Sequence, residues 1–314
     1  MTHASSRSVV ISAIRGAIPY LRLFQGRTFV IKAGGEVVTD RASARILMEQ
    51  VGILHRLGIR TVVVHGGGGQ ATELAGRLGL ETRMVNGRRV TDAKTREVTT
   101  MVLNGSVNTE IVATCRELGL PAVGLCGVDA GLVVAKKRAP KEVPGHGVVD
   151  FGYVGDIETV DPTVISKLLD QGFVPVVSPL SADAEGQVLN VNADVVAASL
   201  GKALSAEKLI LVTGVAGILR KVSDPSSLVS YTDVAGLAEL EESGCISGGM
   251  LPKLASIKDA LAGGVARVHV IHSKNPDSLL LEVFTNEGAG TLVVRDTKEL
   301  RPEEAQAPLL VTAD

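Results

Sequence analysis

The chain has 314 residues, 45 % of them hydrophobic, with 35 glycines, five Phe, three Tyr, no Trp and a net charge of −2. Hydrophobicity of that order with so little net charge excludes intrinsic disorder, and the balanced charge offers a nucleic acid no basic surface. Eight aromatics make no stacking platform for bases, and glycine without a triplet period excludes collagen and points instead to loops where backbone closely approaches a ligand.

Residues 8–23 (SVVISAIRGAIPYLRL) carry apolar positions at helical spacing, interrupted by Pro19. A helix ahead of the first core strand either packs on its own domain or serves as a docking arm for another subunit. Strands and helices then alternate. Strands are expected at Thr28–Ala33, Arg60–Val64, Ala122–Leu125, Val174–Ser178, Lys208–Thr213, Arg267–Ile271 and Thr291–Val294. Between them fall helices through about residue 57 and over 70–78, 93–118, 162–171, 192–203, 232–243, 250–262 and 276–284. Residues 131–160 read as antiparallel strands around a polar loop, Arg138–Gly147.

Crossovers of this kind predict an α/β fold, a mainly parallel open sheet sandwiched between helices. The organisation read from this pattern is an N-terminal helical arm (1–24), a domain over 25–295 with its weakest seam near 205, and a loose tail (296–314). The three cysteines (Cys115, Cys126, Cys245) lack metal-ligand spacing and cannot all pair, as expected for a reducing cytoplasm. No apolar run approaches the ~18 residues of a membrane span.

Ligands of parallel sheets bind where strand ends turn into helices, and the glycines cluster there: Gly34 and Gly35, Gly66–Gly69, and Gly214 with Gly217. Turns use glycine anyway, but three such turns favour an anion-binding cleft. No Walker pattern occurs, and Gly66-x-Gly68-x-x-Ala71 lacks the acidic partner of a dinucleotide site. Lys32 sits just before Gly34-Gly35, near the end of an apolar strand, where an ammonium is costly unless it reaches the cleft or the sheet rim. Lys253 lies at a helix start, against the helix dipole. Asn192 reads as an N-cap with Asp194 in the first turn, which leaves Asn190 without a structural role.

These residues carry a resemblance. The segments IPYLRLFQGRTFVIKAGG, VVVHGGG, VNGRRVTD, VGDIETV, LNVNAD, GCISGGMLPK and LLLEVFTNEGAGT, from about Pro19 to Val294, resemble the amino-acid kinase family. Within it they are most similar to the members that phosphorylate the γ-carboxylate of N-acetyl-L-glutamate in arginine biosynthesis. The resemblance implies the carbamate kinase-like fold and transfer of phosphate from ATP to a carboxylate, with Mg²⁺ held mainly by the nucleotide phosphates. It casts Lys32 and Lys253 as the groups that stabilise the transferring phosphoryl and Asp194 as the residue that holds both. Gly34, Gly35, Gly66 and Gly67 would cradle oxyanions by their N–H groups, and Arg89 and Asn190 would bind the acylated amino acid. Arg88 is expected to point away into solvent, and His65 to be structural, since an ionised carboxylate needs no base.

The nucleotide is expected along Gly214, Val215, Gly217, Ile218 and Leu219, and along Cys245, Ile246 and Ser247. Tyr20, His269, Glu287 and Gly288 match an arginine site in inhibited members, whose N-terminal helix joins dimers into hexamers, so a homo-oligomer and feedback by L-arginine are expected. Four motifs depart from the family. Gly214 replaces an aspartate beside the nucleotide, which predicts binding weaker by about tenfold, on the order of 1.4 kcal/mol. Gly69 stands for a proline, residues 126–131 vary a Ser-Gly-Lys-Asp-Gly-Gly pattern, and 271–274 vary Ile-Asp-Gly-Arg. Gly34-Gly35-Glu36 is also similar to N-acetylglutamate synthases, whose kinase-like domain senses arginine. That alternative needs an acetyltransferase domain after residue 295, where about twenty residues remain. A related kinase acting on another acylated amino acid, such as an aminoadipate, is the third reading.

Overall fold

Five segments, TFVIKA, RTVVVH, VPVVS, KLILVT and RVHVIH, are runs of aliphatic residues buried along almost their whole length, as strands covered on both faces must be. In chain order the strands of the computed structural model are β1 (Thr28–Ala33), β2 (Arg60–His65), β3 (Met84–Val85), β4 (Arg88–Arg89), β5 (Ala122–Cys126), β6 (Val133–Lys137), β7 (Lys141–Val143) and β8 (Gly147–Val149). They continue with β9 (Gly155–Val160), β10 (Val174–Ser178), β11 (Leu180–Ala182), β12 (Val188–Asn190), β13 (Lys208–Thr213), β14 (Tyr231–Asp233), β15 (Arg267–His272) and β16 (Gly290–Val294). The structure describes residues 11, 15–221, 223–246, 249–273, 275–285 and 288–300. Ser247, Glu287, most of the expected arm before residue 15 and the tail from 301 lie outside them.

The main sheet has the order β14-β16-β15-β13-β1-β2-β10-β5 and is parallel except for β15 against β16. The three glycine turns therefore follow three adjacent parallel strands, β13, β1 and β2, and open at one edge. A second sheet, β12-β11-β6-β9, and a separate hairpin, β7–β8, stand apart from the main sheet. The polar loop expected over 138–147 is thus partly this hairpin, and the helix expected from 232 begins after a short strand.

Helices α1 (Arg41–Arg56), α2 (Gly68–Arg77), α3 (Ala93–Thr100), α4 (Thr109–Glu117) and α9 (Ser278–Phe284) lie on one side of the sheet. Helices α5 (Thr163–Asp170), α6 (Ala193–Ala203), α7 (Val234–Glu242) and α8 (Met250–Ala262) lie on the other. Strand alternation divides the core between them: Phe29, Ile31 and Val63 pack on the α1 side, Val30, Val62 and Val64 on the α6 side. The helix expected over 93–118 is not continuous α. Met101–Asn108 is π-helical, a wider turn found mostly where function bends a helix. Residues 15–24 are helical, and Tyr20 and Phe24 pack on Phe284 and Phe29.

Candidate active site

Lys32 shares the α6 side of β1 with Val30 and is one residue from the strand's end. Its ammonium therefore emerges at the N-terminus of α6, where Asn192 caps the helix by accepting from the N–H groups of Asp194 (2.7 Å) and Val195 (3.4 Å). Lys32 Nζ meets Asp194 Oδ1 at 2.9 Å, and Lys253 Nζ, from the first turn of α8, meets Oδ2 at 3.1 Å. Burial pushes the Asp194 carboxyl up, but the two ammonium groups outweigh it and hold it below the usual carboxylate range. Burial pulls Lys253 down from its ordinary value of 10.5, opposed by Asp194. One ionised carboxylate thus aligns two cations that would otherwise repel.

The glycine turns stand beside this pair. The N–H groups of Gly34 and Gly66 continue the sheet, donating to Val212 O (3.0 Å) and Ala33 O (2.9 Å). This corrects the expectation that all four glycines cradle an anion: these two donors are already engaged. Among the described residues no protein acceptor takes the N–H of Gly35 or of Gly67, the N-cap of α2. A Cβ on Gly35 would lie 3.4 Å from Gly67 N, so these two donors are near neighbours at a helix N-terminus.

From Lys32, Gly35, Gly67 and Asp194 a cavity of about 500 Å³, within the range of small-ligand sites, extends to Arg89 and Asn190. Asn86 (φ 45°) and Gly87 (φ 73°) form the two-residue turn that joins β3 to β4 and presents Arg89. Arg89 donates to Gly68 O (2.6 Å), Thr72 Oγ1 (2.6 Å) and Thr82 Oγ1 (3.3 Å), which locks the guanidinium and leaves two of its five N–H groups for a ligand. Asn190 at the end of β12 donates to Thr91 Oγ1 at 3.4 Å and also borders the cavity. Arg88 is exposed, but it too borders this cavity, and the charges of Arg138 and Asp156 act on it. It is therefore not simply turned out to solvent.

His65, fully buried on the α2 side, donates from Nδ1 to Gly66 O (2.8 Å) and receives Asn108 Nδ2 on Nε2 (3.1 Å). Burial lowers its pKa to about 4. Both nitrogens are occupied and the ring is neutral, so it shapes the glycine turn. Asn108 also donates to Val176 O (2.9 Å), which ties β2 to β10. Neither Asn108 nor Leu103, which would meet a Cβ on Gly67 at 2.6 Å, could be singled out in advance. Leu103 borders the cavity and Asn108 meets His65, both from the π-wound segment. Burial raises the Cys126 thiol and pushes Cys115 up to about 11, so neither is activated as a nucleophile.

Of the residues expected along the nucleotide, Gly214 and Val215 are exposed beside Gly34, and Cys245 is partly exposed. Ile218 and Ile246 are core side chains, and Ile218 N–H donates to Thr291 Oγ1 (2.9 Å), so only backbone there could face a ligand. Leu219 is bridged to Leu228. Gly217 (φ 152°) has no room for a side chain, since a Cβ would lie 2.6 Å from Thr291 Oγ1. Of the expected arginine residues, His269 is buried rather than open to a ligand, meeting Glu282 at 2.5 Å and Lys208 at 2.9 Å. Gly288 lies against the same Glu282 carboxylate, and Tyr20 rests on Phe284 of α9.

Two opposed cations, two unengaged amides at a helix N-terminus and a locked arginine suit the transfer of one anionic group to another. The model of the amino acid kinase family matches residues 27–272. Acetylglutamate kinase of Myxococcus xanthus is 47 % identical over 293 residues, 92 % of this chain and 95 % of that one. The enzyme of the same name from Moorella thermoacetica is 45 % identical over 280 residues, 88 % and 95 % of the two chains. Among solved structures, N-acetylglutamate synthase of Neisseria gonorrhoeae superposes with a TM-score of 0.79 in complexes with coenzyme A and either N-acetyl-glutamate or L-arginine. It is 27 % and 26 % identical in the two, and the match covers 91 % of this chain but 64 % and 65 % of the synthase. Carbamate kinase of Giardia lamblia, 16 % identical with a TM-score of 0.62 over 86 % of this chain and 99 % of its own, shares the fold. The chain belongs to the amino acid kinase family.

Proposed function

We propose that the chain transfers the γ-phosphoryl group of ATP to the γ-carboxylate of N-acetyl-L-glutamate, yielding N-acetyl-L-glutamyl 5-phosphate and ADP, the carboxyl phosphorylation of arginine biosynthesis. The observation that carries this reading is the Lys32–Asp194–Lys253 arrangement at 2.9 and 3.1 Å beside the Gly35 and Gly67 amides. The acceptor carboxylate is ionised at neutral pH, so no base is required and the work is positioning and charge neutralisation. Lys32 meets the acceptor side of the migrating phosphoryl, Lys253 the donor side, and the two amides its oxygens. Arg89 takes the acceptor's α-carboxylate with its remaining N–H groups, and Asn190 binds the acetylamino group. Magnesium would arrive with the nucleotide, held by phosphate oxygens and water, because both oxygens of Asp194 are engaged by lysines.

A coupled assay of ADP release with N-acetylglutamate, glutamate and N-acetylaminoadipate tests this. N-acetylglutamate should be the acceptor by at least tenfold in kcat/KM. Preference for either other acid, or release with none, overturns the assignment.

A second reading concerns control. Three residues of the expected arginine site, Tyr20, His269 and Gly288, converge on Phe284 and Glu282 of α9, and the synthase neighbour was solved with L-arginine. Inhibition by L-arginine at millimolar levels is expected, and an unchanged rate refutes it. An arginine-sensing role without catalysis is weaker, because Lys32, Lys253 and Asp194 stand aligned.

A further inference from the structure

Glu36, two residues past Gly34, is exposed, yet its carboxylate turns back over the site. Its Oε1 accepts the Gly214 N–H at 2.8 Å across 178 residues of sequence. A Cβ on Gly34 would fall 2.4 Å from Glu36 Oε1, and one on Gly214 would fall 3.4 Å from Glu36 Cγ. The carboxylate therefore spans the space between the turn after β1 and the turn after β13. Gly214, although a glycine, is not in the left-handed region, so nothing in the backbone demands glycine there. What a side chain at 214 would meet is the Glu36 side chain itself. The turn is otherwise closed locally, Val215 N–H donating to Thr213 Oγ1 and that hydroxyl to Val215 O, both at 3.1 Å.

We infer that Glu36 is a positioning residue for the nucleotide: its carboxylate latches the 213–217 turn to the phosphoryl-binding turn and supplies, from the neighbouring strand, the negative group that position 214 lacks. Its charge also acts on Lys253 in the direction that keeps the ammonium protonated. The inference rests on the kinase reading for the ligand of this turn and adds to it the element that joins the two halves of the site. It predicts, against the expectation drawn from the motif, that Gly214 by itself does not weaken nucleotide binding.

The test is a cycle of Glu36→Ala, Gly214→Asp and the double variant, measured by direct ADP titration and by steady-state kinetics. Glu36→Ala should weaken ADP binding and raise KM for ATP by about tenfold, as expected for loss of one charge-assisted hydrogen bond, and should lower kcat by a smaller factor. Gly214→Asp alone should also weaken binding, because two carboxylates then compete for one place. In the double variant the aspartate takes the vacated position and should recover most of the lost affinity, a non-additivity that a general loss of folding cannot produce. Unchanged or tighter ADP binding by Glu36→Ala, or losses that simply add in the double variant, overturns the latch. ADP titration needs no acceptor, so an error about the acceptor would show in the release assay and leave this result standing.

Discussion

Lys32 Nζ lies 2.9 Å from Asp194 Oδ1, a contact between the end of the sheet's central strand and the first turn of α6. The same carboxylate receives Lys253 on its other oxygen at 3.1 Å. All three side chains are about one-tenth exposed. Their mutual placement brings two cations to one carboxylate, an arrangement suited to neutralising the charge that gathers when a phosphoryl group moves between oxygens.

Removal of that carboxylate should cost more in rate than in fold. Asp194→Asn is expected to lower kcat by at least ~10², as loss of preorganised charge does. Stability should fall by about 1–3 kcal/mol, because two partly buried ammonium groups lose their partner. Turnover within tenfold of the parent would refute the role.

The alkaline limb of the pH–rate profile should begin below 10.5. Burial lowers the pKa of Lys253, and the ammonium form is the active one, so activity is lost as pH rises through the depressed value. Lys253→Arg keeps the charge at all accessible pH and should flatten this limb while lowering kcat. An unshifted limb in the variant would assign it to another group.

His65 should govern acid stability rather than catalysis. Its folded pKa of about 4 lies below the unfolded 6.5, so its contribution is complete above pH 6.5 and is lost as pH falls through 4, roughly 3 kcal/mol in all. His65→Gln should reduce Tm at pH 7, leave kcat within about threefold, and weaken the acid dependence of Tm. A kcat loss of 10² or more would restore a chemical role.

Gly66 and Gly69 should respond unequally to alanine. A Cβ on Gly66 would lie 2.9 Å from Gly35 N, against backbone and over one of the two unengaged amides, whereas Gly69 has nothing within 4 Å. Gly66→Ala is expected to cost at least ~10² in kcat/KM, comparable to loss of an oxyanion donor. Gly69→Ala should be nearly silent, and equal effects would contradict the cradle.

Arg89→Lys should raise KM for the acylated amino acid by about tenfold or more, since an ammonium cannot hold Gly68 O, Thr72, Thr82 and a carboxylate together. A change confined to ATP kinetics would move Arg89 out of the acceptor site.

Most of this architecture was legible in the chain itself. Runs such as RTVVVH and KLILVT, each with three or four consecutive aliphatic residues, read as short strands covered on both sides, and the intervening amphipathic stretches supply the covers. The residues that carry charge against local preference, Lys32 and Lys253, could be marked one by one, because an ammonium in a strand or at a helix N-terminus has a local cost. Asn192 and Asp194 were readable for the same reason, since capping is decided within one turn.

What the tertiary structure alone decided are relations between segments distant in sequence. Which amides of the glycine turns remain unengaged among the described residues depends on strand neighbours: Gly34 and Gly66 are spent on Val212 and Ala33, Gly35 and Gly67 are not. The π-wound turn that brings Asn108 to His65 follows from packing, because no local signal in Met101–Asn108 requires it. The same holds for Glu36 and Gly214, 178 residues apart. Along the chain they are two unrelated turns; in space parallel β1 and β13 bring those turns side by side, and the Glu36 carboxylate accepts the Gly214 N–H. Local propensity determines which elements form, and only the pairing of those elements decides which of their ends share a site.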